Sequence, residues 1–374
     1  MTTVTASIPS LADDRIVEAA AWLCDIPVEV ERTDAMQSFL KQETIFVRIR
    51  TASGIEGFGY SYTIGTGGRA VLSLLQHTLL DQILGEDVQR PESVWAKMLN
   101  STRATAVGAI TSLAFAAVDT AVWDARTKAV DVPLWKAAGG ARSEIDVYDT
   151  EGGWLHLTGD QIVEAAVASQ ARGMRGVKVK VGKPSAHEDF RRLALLREAV
   201  GADFDIMIDA NQAFTAAEAI RRARLFEPLD IFWFEEPLPA DDIAGHASLR
   251  AATSIPVAVG ESMYSVGQFG AYLRTGAAAI VQPDVARVGG ITPWLKIAHL
   301  AEAHNVSVAP HFLMELHAPL VCAIPNALYL EHIPQLRALT RTQLRIENGM
   351  AIASDVPGLG IDWDFDALDG IRVA

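Results

Sequence analysis

The sequence predicts an α/β protein in which an α+β domain precedes a closed barrel of eight strands and intervening helices. From about residue 145 onward, strand-like and helical runs alternate, which is typical of parallel strands joined by helical crossovers. Eight such strands in about 185 residues favour closure into a barrel. The alternative is an open doubly wound sheet, but no G-x-G-x-x-G motif follows a predicted strand.

The N-terminal part combines two strand-like runs with later helical patterns. Residues 1–12 are expected to be a disordered lead-in, and residues 13–140 are expected to form the α+β domain. Strand-like runs cover 19–33 and 44–55, a glycine-bearing second strand follows at 57–59, and helical patterns cover 68–84, 93–99 and 106–127. Gly139 and Gly140 end this region.

The predicted barrel occupies residues 141–344. Its strands are expected at 144–148, 176–181, 205–209, 231–235, 257–261, 279–284, 307–310 and 329–330, and its helices at 159–172, 186–200, 215–225, 244–252, 266–274, 291–305 and 316–323. A hairpin turning at Asn348-Gly349 follows. Residues 345–374 are expected to return to the N-terminal domain.

Composition excludes several classes of function. The net charge of −14 argues against nucleic-acid binding, because phosphate requires a basic surface. No run of about 18 uncharged apolar residues occurs, so no membrane span is expected, and the N-terminus lacks the features of a signal peptide. Two cysteines about 300 residues apart, Cys24 and Cys322, form no disulfide framework, which favours a cytoplasmic location.

Two lysines lie on one face of the second barrel strand. In the stretch 175–182, alternation places Lys178 and Lys180 on the face opposite three valines. A strand that serves only for packing would not normally carry both ammonium groups. Taken alone, the stretch fits a solvated edge strand equally well.

Three acidic residues end consecutive predicted strands at equal intervals. Asp209, Glu235 and Glu261 are 26 residues apart (209 to 235 and 235 to 261), about the length of one β/α unit. The spacing therefore predicts three carboxylates at the same height of neighbouring strands, where they repel each other unless a cation binds them. Oxygen-only ligands favour a hard ion such as Mg²⁺. Taken alone, each residue is better explained as a helix cap or a member of a loop ion pair, and the prediction of a metal site rests on the three together.

Further polar residues end the last strands. Asp284 and His311 end adjacent strands, so the carboxylate is expected to fix the tautomer of the imidazole and raise its basicity. Glu331 ends the final strand, where it is expected either to stay protonated and donate a hydrogen bond or to pair with an arginine. Nearby, four residues are interpreted as supporting or packing groups: Glu236, Glu315, His317 and His332.

Together these motifs resemble the enolase superfamily, and within it the mandelate racemase subgroup. The resemblance rests on Lys178-Val-Lys180, Asp209-Ala-Asn211, Glu235-Glu-Pro237, Gly260-Glu261, Pro283-Asp284, His311 and Glu331. It implies a modified TIM barrel, (β/α)7β, with an α+β capping domain. The stretch 310–317 is similar to galactarate/talarate dehydratases. Muconate-lactonizing enzymes and dipeptide epimerases have a lysine where this chain has Asp284, and mannonate-type dehydratases lack the lysine pair.

The resemblance also implies roles for these residues. Mg²⁺ would be bound by Asp209, Glu235 and Glu261. Lys180 would act as a base on one face of the substrate, and the His311–Asp284 pair would act on the other. Lys178 and Asn211 would contact the substrate, and Glu331 would hydrogen-bond the developing enolate.

The expected reaction is removal of a proton α to the carboxylate of a small molecule. Dehydration of an acid sugar to a 2-keto-3-deoxy acid is favoured, with or without epimerisation. The alternatives are a racemase or epimerase of a 2-hydroxy acid and, less favoured, a non-catalytic barrel that binds a metal or anion. Specificity is expected from two capping-domain loops, 34–44 and 61–68. The resemblance further implies a homo-oligomer, an octamer or a dimer.

Overall fold

The computed structural model describes residues 13–28, 30–39, 41–105 and 108–374. The predicted lead-in, residues 1–12, lies outside them. The N-terminal domain opens with an antiparallel sheet of three strands in the order β1 (Ile16–Ile26), β2 (Gln42–Thr51) and β3 (Glu56–Thr63). The predicted strand runs are therefore present, with shifted boundaries.

Helices complete the N-terminal domain. They are α1 (Gly68–Leu74), α2 (Leu80–Ile83), α3 (Pro91–Ser101), α4 (Ala109–Ala129) and α5 (Leu134–Ala137), with a π-helical turn at Leu75–Leu79 between α1 and α2. Residues 106 and 107, the predicted start of the long helix, are not described. The glycines of β3 explain the packing of α4: a β-carbon at Gly59 would overlap the carbonyl oxygen of Ala117. Small residues on both elements thus allow the helix to lie directly on the strand.

Eight parallel strands form the barrel. They are β4 (Glu144–Asp149), β5 (Gly176–Lys180), β6 (Asp205–Asp209), β7 (Trp233–Glu235), β8 (Val257–Val259), β9 (Ile280–Val281), β10 (Ser307–Val308) and β11 (Leu330–His332). Consecutive strands pair from β4 to β10, and β11 pairs with β4. A bridge between Val308 and Ala327 joins the two ends of this series.

Seven helices alternate with these strands. They are α6 (Gly159–Ala171), α7 (Ala186–Val200), α8 (Ala216–Phe226), α9 (Ile243–Ala252), α10 (Val266–Thr275), α11 (Ile291–Ala303) and α12 (Met314–Ala323). The architecture is therefore a (β/α)7β barrel with a capping domain, as predicted. No helix in the described ranges has the length and apolar character needed to cross a membrane.

The segment after the barrel differs in part from its prediction. The hairpin of β12 (Ile346–Glu347) and β13 (Met350–Ile352) pairs with β4 of the barrel, through β13, instead of returning to the N-terminal domain. The return begins further along the chain, where the amide of Leu359 donates to Oδ1 of Asp124 at 2.9 Å. After α13 (Phe365–Gly370), the amide of Val373 donates to the carbonyl of Leu23 at 2.8 Å. The first three residues of β4, 144–146, lie before its pairing with β5 and β11, so they can pair with the hairpin.

Apolar side chains fill the interior of the barrel below its polar end. This interior cluster consists of Tyr148, Met207, Trp233, Ala258, Ile280, Ala309 and Tyr329. It closes the barrel from one side, so the polar side chains at the carboxyl ends of the strands lie above an apolar layer that excludes water.

Candidate active site

The two lysines of β5 point into the barrel and are almost completely buried. Lys178 is 1% exposed and Lys180 is 5% exposed, which rules out the solvated edge strand. The Nζ atom of Lys178 lies 2.8 Å from a carboxylate oxygen of Glu235 and 2.8 Å from one of Glu331. Lys180 forms an ion pair with Asp209. Both ammonium groups are thus compensated by carboxylates.

Three carboxylates meet beside the lysines. Oxygen atoms of Asp209, Glu235 and Glu261 all lie within 4.8 Å of one another. Asp209 and Glu235 are direct partners in the parallel register, whereas the partner of Glu235 on β8 is Ala258. Glu261 therefore reaches the cluster from the loop after β8, not from the same height, because this strand ends at Val259.

The cluster carries more negative than positive charge. Burial and the neighbouring carboxylates raise the pKa of Glu235 to about 7, although Lys178 opposes this shift. One oxygen of Glu261 is buried without a hydrogen-bond partner among the described residues, although it lies 3.2 Å from Nε2 of His311. Three converging carboxylates with an unsatisfied oxygen fit the ligand set of a hard divalent cation, since Mg²⁺ prefers oxygen ligands.

The carboxylates of the cluster keep Lys180 charged in the chain alone. Burial and Lys178 lower its pKa, but Asp209 and the other carboxylates outweigh them and raise the pKa overall. A cation bound by the same carboxylates would offset their charge and favour the neutral form of Lys180.

His311 and Asp284 form the predicted pair. Nδ1 of His311 lies 2.9 Å from Oδ2 of Asp284, and the side chain of Asp284 is completely buried. Burial raises the pKa of Asp284, but the hydrogen bond and charge of His311 lower it below its usual value. The aspartate is therefore an ionised acceptor. His311 contacts Glu261 and Lys180 contacts Asp209, so these two groups flank the carboxylate cluster.

Glu331 is an acceptor rather than a protonated donor. Its oxygens accept hydrogen bonds from the hydroxyl of Thr150 at 2.7 Å and the amide of Phe312 at 2.7 Å, in addition to the contact with Lys178. Burial raises its pKa, but Lys178 and His311 lower it well below the usual range. The prediction of a protonated carboxyl group was wrong, and its partner is a lysine instead of an arginine.

A small cavity opens above these groups, and the capping domain closes it. Its walls come from both domains: Asp34, Gln37, Phe39, Ile64, Thr150, Trp154, Lys178, Lys180, Asn211, Glu261, Arg287, His311, Phe312, Glu331 and Ile333. Both predicted capping loops contribute, although residue 40 of the first is not described. Oδ1 of Asp34 accepts hydrogen bonds from the backbone amides of Met36 and Gln37, and these bonds fix the start of the first capping loop.

Asn211 lies at the base of this cavity. Its backbone has φ of 42°, a left-handed conformation that asparagine tolerates better than most residues. The backbone amide of Asn211 donates to Oδ1 of Asp209 at 2.8 Å. The side-chain oxygen of Asn211 is buried without a partner in the described part of the chain. A buried amide oxygen facing a cavity is available to a ligand.

The four residues interpreted as supporting groups lie around the site. Nε2 of His317 accepts the amide of Val285, Nδ1 of His332 lies 2.9 Å from Asp149, and Glu236 accepts from the amide of Ser262 at 3.2 Å. Burial raises the pKa of Glu315 to about 7. None of the four lines the cavity.

Sequence reasoning missed two residues that lie against the His311–Asp284 pair. The hydroxyl of Tyr62, on β3, donates to Oδ2 of Asp284 at 2.6 Å. The guanidinium of Arg287 lies in the cavity wall and donates to the carbonyl of Glu261 at 2.8 Å. Arg287 could have been noticed because it lies three residues after Asp284. Tyr62 lies in the predicted specificity segment 61–68, but no local signal indicated its bond to Asp284, which is 222 residues away.

Comparison with known families matches both parts of the chain. Residues 16–139 match the mandelate racemase/muconate lactonizing enzyme N-terminal domain, and residues 161–367 match the enolase C-terminal domain-like family. The chain belongs to the mandelate racemase branch of the enolase superfamily. The resemblance inferred from its motifs is thereby confirmed.

Several relatives in this superfamily are similar over almost the whole chain. The L-talarate/galactarate dehydratase of Salmonella typhimurium is 38% identical over 353 residues, covering 93% of this chain and 88% of the relative. Its crystal structure with Mg and L-lyxarohydroxamate superimposes with a TM-score of 0.93 at 35% identity, covering 100% of this chain and 97% of that one.

Two further relatives have other names. The 3,6-anhydro-alpha-L-galactonate cycloisomerase of Streptomyces coelicolor is 34% identical and covers 93% of this chain and 97% of the relative. A racemase structure from Streptomyces coelicolor with bound magnesium has a TM-score of 0.92 and 33% identity, with 96% and 100% coverage. Members of this superfamily with the present architecture therefore include dehydratases, cycloisomerases and racemases.

Proposed function

We propose that this protein is a Mg²⁺-dependent dehydratase that converts an acid sugar to a 2-keto-3-deoxy acid. The observation that carries the proposal is the placement of Lys180 and His311 on either side of a three-carboxylate cluster, beneath a cavity with polar walls. The similarity to the talarate/galactarate dehydratase supports the class of substrate.

Asp209, Glu235 and Glu261 would hold the metal ion. A bound Mg²⁺ would offset their negative charge, which favours the neutral form of Lys180, and would stabilise negative charge on the substrate carboxylate. Lys178 is a buried cation beside the cluster and would bind a carboxylate oxygen of the substrate. Asn211 offers its unsatisfied side-chain oxygen to a substrate hydroxyl.

Lys180 and His311 would handle the protons. Lys180 removes the α-proton on one face. The electron pair of the broken C–H bond then forms the double bond between the α- and β-carbons as the β-hydroxyl departs. The departing hydroxyl needs a proton, which His311 supplies from Nε2 while Asp284 holds the other ring nitrogen. The resulting enol loses its hydroxyl proton, gains a proton at the β-carbon and so becomes the 2-keto-3-deoxy acid. Lys178 fixes the carboxylate end of the substrate throughout, and Glu331 holds the ammonium group of Lys178 in place.

The walls of the cavity favour a hydroxylated substrate. Asp34, Gln37, Thr150 and Asn211 place carboxylate, amide and hydroxyl groups around the space above the lysines. Several hydroxyl groups can be satisfied there, since a buried polar group without a partner is costly. An aromatic hydroxy acid would leave the buried side-chain oxygen of Asn211 without a partner.

A racemase or epimerase of a 2-hydroxy acid is the second candidate. It is favoured by the similarity to the racemase structure and by the presence of acid/base groups on both sides of the cluster. In that case His311 would return a proton to the α-carbon on the opposite face, with no loss of hydroxyl. The same residues serve both reactions, so the substrate decides between them.

Incubation with a library of monoacid and diacid sugars tests the proposal. Dehydration yields a keto acid that reacts with semicarbazide, and proton abstraction in D₂O introduces deuterium at the α-carbon. A keto acid supports the dehydratase, and deuterium uptake with inversion and no keto acid supports the racemase. Neither product across the library would contradict both and favour a non-catalytic metal or anion binder.

We also propose that the enzyme acts in the cytoplasm as a homo-oligomer, a dimer or an octamer. The support is the family resemblance together with the net charge and cysteine content of the chain. Sedimentation velocity at micromolar concentration tests the assembly, and a clean monomer would contradict it.

A further inference from the structure

We propose that Tyr62 of the capping domain is a positioning residue for the His311–Asp284 pair. The proposal rests on the proposed function, in which His311 acts on one face of the substrate. It assigns to the capping domain a direct part in the chemistry, beyond closing the cavity.

Asp284 is held by four hydrogen bonds that saturate its carboxylate. Oδ1 accepts the amides of Ala286 at 2.8 Å and Arg287 at 3.3 Å, which fixes it to its own loop. Oδ2 accepts the hydroxyl of Tyr62 at 2.6 Å and lies 2.9 Å from Nδ1 of His311. The backbone thus anchors one oxygen, whereas Tyr62 and His311 share the other.

Tyr62 can act only as a donor in this arrangement. The residue is 2% exposed, and burial raises the pKa of its hydroxyl well above the usual value, although Arg287 opposes the shift. Because Asp284 is ionised, its oxygens accept only. Tyr62 therefore donates its proton to Oδ2, and Nδ1 of His311 must also carry a proton, which leaves Nε2 as the nitrogen that exchanges protons with substrate.

The ring of Tyr62 is fixed as firmly as its hydroxyl. Its centroid lies 4.6 Å from that of Phe312, which directly follows His311, and the guanidinium of Arg287 lies 5.9 Å from its centre. The hydroxyl is thus aimed at Oδ2 by packing from both sides of the pair. Without the hydroxyl of Tyr62, Oδ2 of Asp284 keeps only its bond to His311. The carboxylate can then turn about its anchored oxygen, Oδ1, and the imidazole turns with it.

The matched variants are Tyr62→Phe and Tyr60→Phe. Tyr60 lies on the same face of β3 and is equally buried, but its hydroxyl has no hydrogen-bond partner in the described residues. Both changes remove one buried hydroxyl and keep the ring, so they separate the bond to Asp284 from general effects on β3.

The measurement is α-proton exchange in D₂O for each epimer of an acid on which the wild type acts. Tyr62→Phe should slow exchange at the His311 face by roughly tenfold to a hundredfold, since a hydrogen bond to a charged group is lost. Exchange at the Lys180 face should change less than about twofold, and Tyr60→Phe should leave both faces within the same limit. A change confined to one face is not expected of a merely structural residue.

Equal loss at both faces, or exchange at the His311 face that stays within twofold of wild type, would overturn the proposal. A crystal structure of Tyr62→Phe gives a readout that needs no substrate. It should show Asp284 or the imidazole of His311 turned from the wild-type arrangement, and an unchanged pair would overturn the positioning role. If the wild-type enzyme exchanges no acid at all, the proposed function fails, and this structural comparison alone decides the role of Tyr62.

Discussion

Lys178 should be a main source of stability when the metal ion is removed. Its Nζ atom lies 2.8 Å from Glu235, 2.8 Å from Glu331 and 3.8 Å from Asp209, and its side chain is 1% exposed. At an effective dielectric constant of about 20, each of the two shorter contacts attracts by about 6 kcal/mol before desolvation is subtracted. Burial lowers its pKa, but the carboxylates raise it well above the usual value, so the charge is retained.

The perturbation is Lys178→Met, which keeps an unbranched side chain only one atom shorter and removes the charge. Removing one partner of a buried ion pair costs about 3–5 kcal/mol, because the other charge is left uncompensated. Lys178→Met leaves both Glu235 and Glu331 without the ammonium group they contact. The loss in the free energy of unfolding in EDTA is therefore expected in the upper part of that range. The control is Lys183→Met, since Lys183 is partly exposed and lies 3.7 Å from Glu188. A pair of this kind contributes about 0–1 kcal/mol.

Urea denaturation of both variants and the wild type, in EDTA and in saturating Mg²⁺, measures these differences. The loss caused by Lys178→Met should shrink in Mg²⁺, because the metal ion compensates Glu235, one of the two carboxylates left without Lys178, and stabilises the folded state by binding to it. A loss below about 1 kcal/mol in EDTA would refute the reasoning. So would a loss that is identical with and without Mg²⁺.

The remaining predictions concern the metal, the two faces and the pH dependence of stability. Activity should vanish in EDTA and return with Mg²⁺ or Mn²⁺, and Glu235→Gln should abolish it; full activity of metal-stripped enzyme would contradict the site. Lys180→Ala should stop α-proton exchange in D₂O for one epimer and His311→Asn for the other, whereas loss for the same epimer in both variants would refute the two-face arrangement. Burial raises the pKa of Asp119 to about 7, above the value of about 3.9 for an unfolded chain. The folded protein then binds this proton more tightly, so the free energy of unfolding should fall as the pH rises from about 4 to 7. Asp119→Asn should reduce that slope, measured by urea denaturation at several pH values, and an unchanged slope would contradict the assignment.

Regular geometry made much of the site predictable from the sequence. Alternation along one strand placed Lys178 and Lys180 together, and the 26-residue interval brought Asp209 and Glu235 into direct register. Both patterns depend only on the period of a strand and the length of a β/α unit. The sequence also predicted that Glu261 joins the other two carboxylates. It did not predict that β8 ends at Val259, so that Glu261 reaches the cluster from the following loop.

The features that sequence reasoning missed depend on contacts between distant parts of the chain. The bond from Tyr62 to Asp284 joins the capping domain to the sixth barrel strand, and no local pattern reports it. The ionised state of Glu331 follows from Lys178, Thr150 and the amide of Phe312, which meet only in the folded barrel. Pairing of the terminal hairpin likewise depends on the first residues of β4, 144–146, which precede its pairing with β5 and β11.

The position of Glu331 has a consequence for attempts to redesign this enzyme. Its carboxylate accepts the amide of Phe312, in the loop after β10, so it ties together the two strands at which the barrel closes. Changing this residue to alter the reaction would also loosen the closure of the barrel. Substrate scope is better altered through the cavity walls contributed by the capping domain, at Gln37, Phe39 and Ile64, because these side chains take no part in that closure.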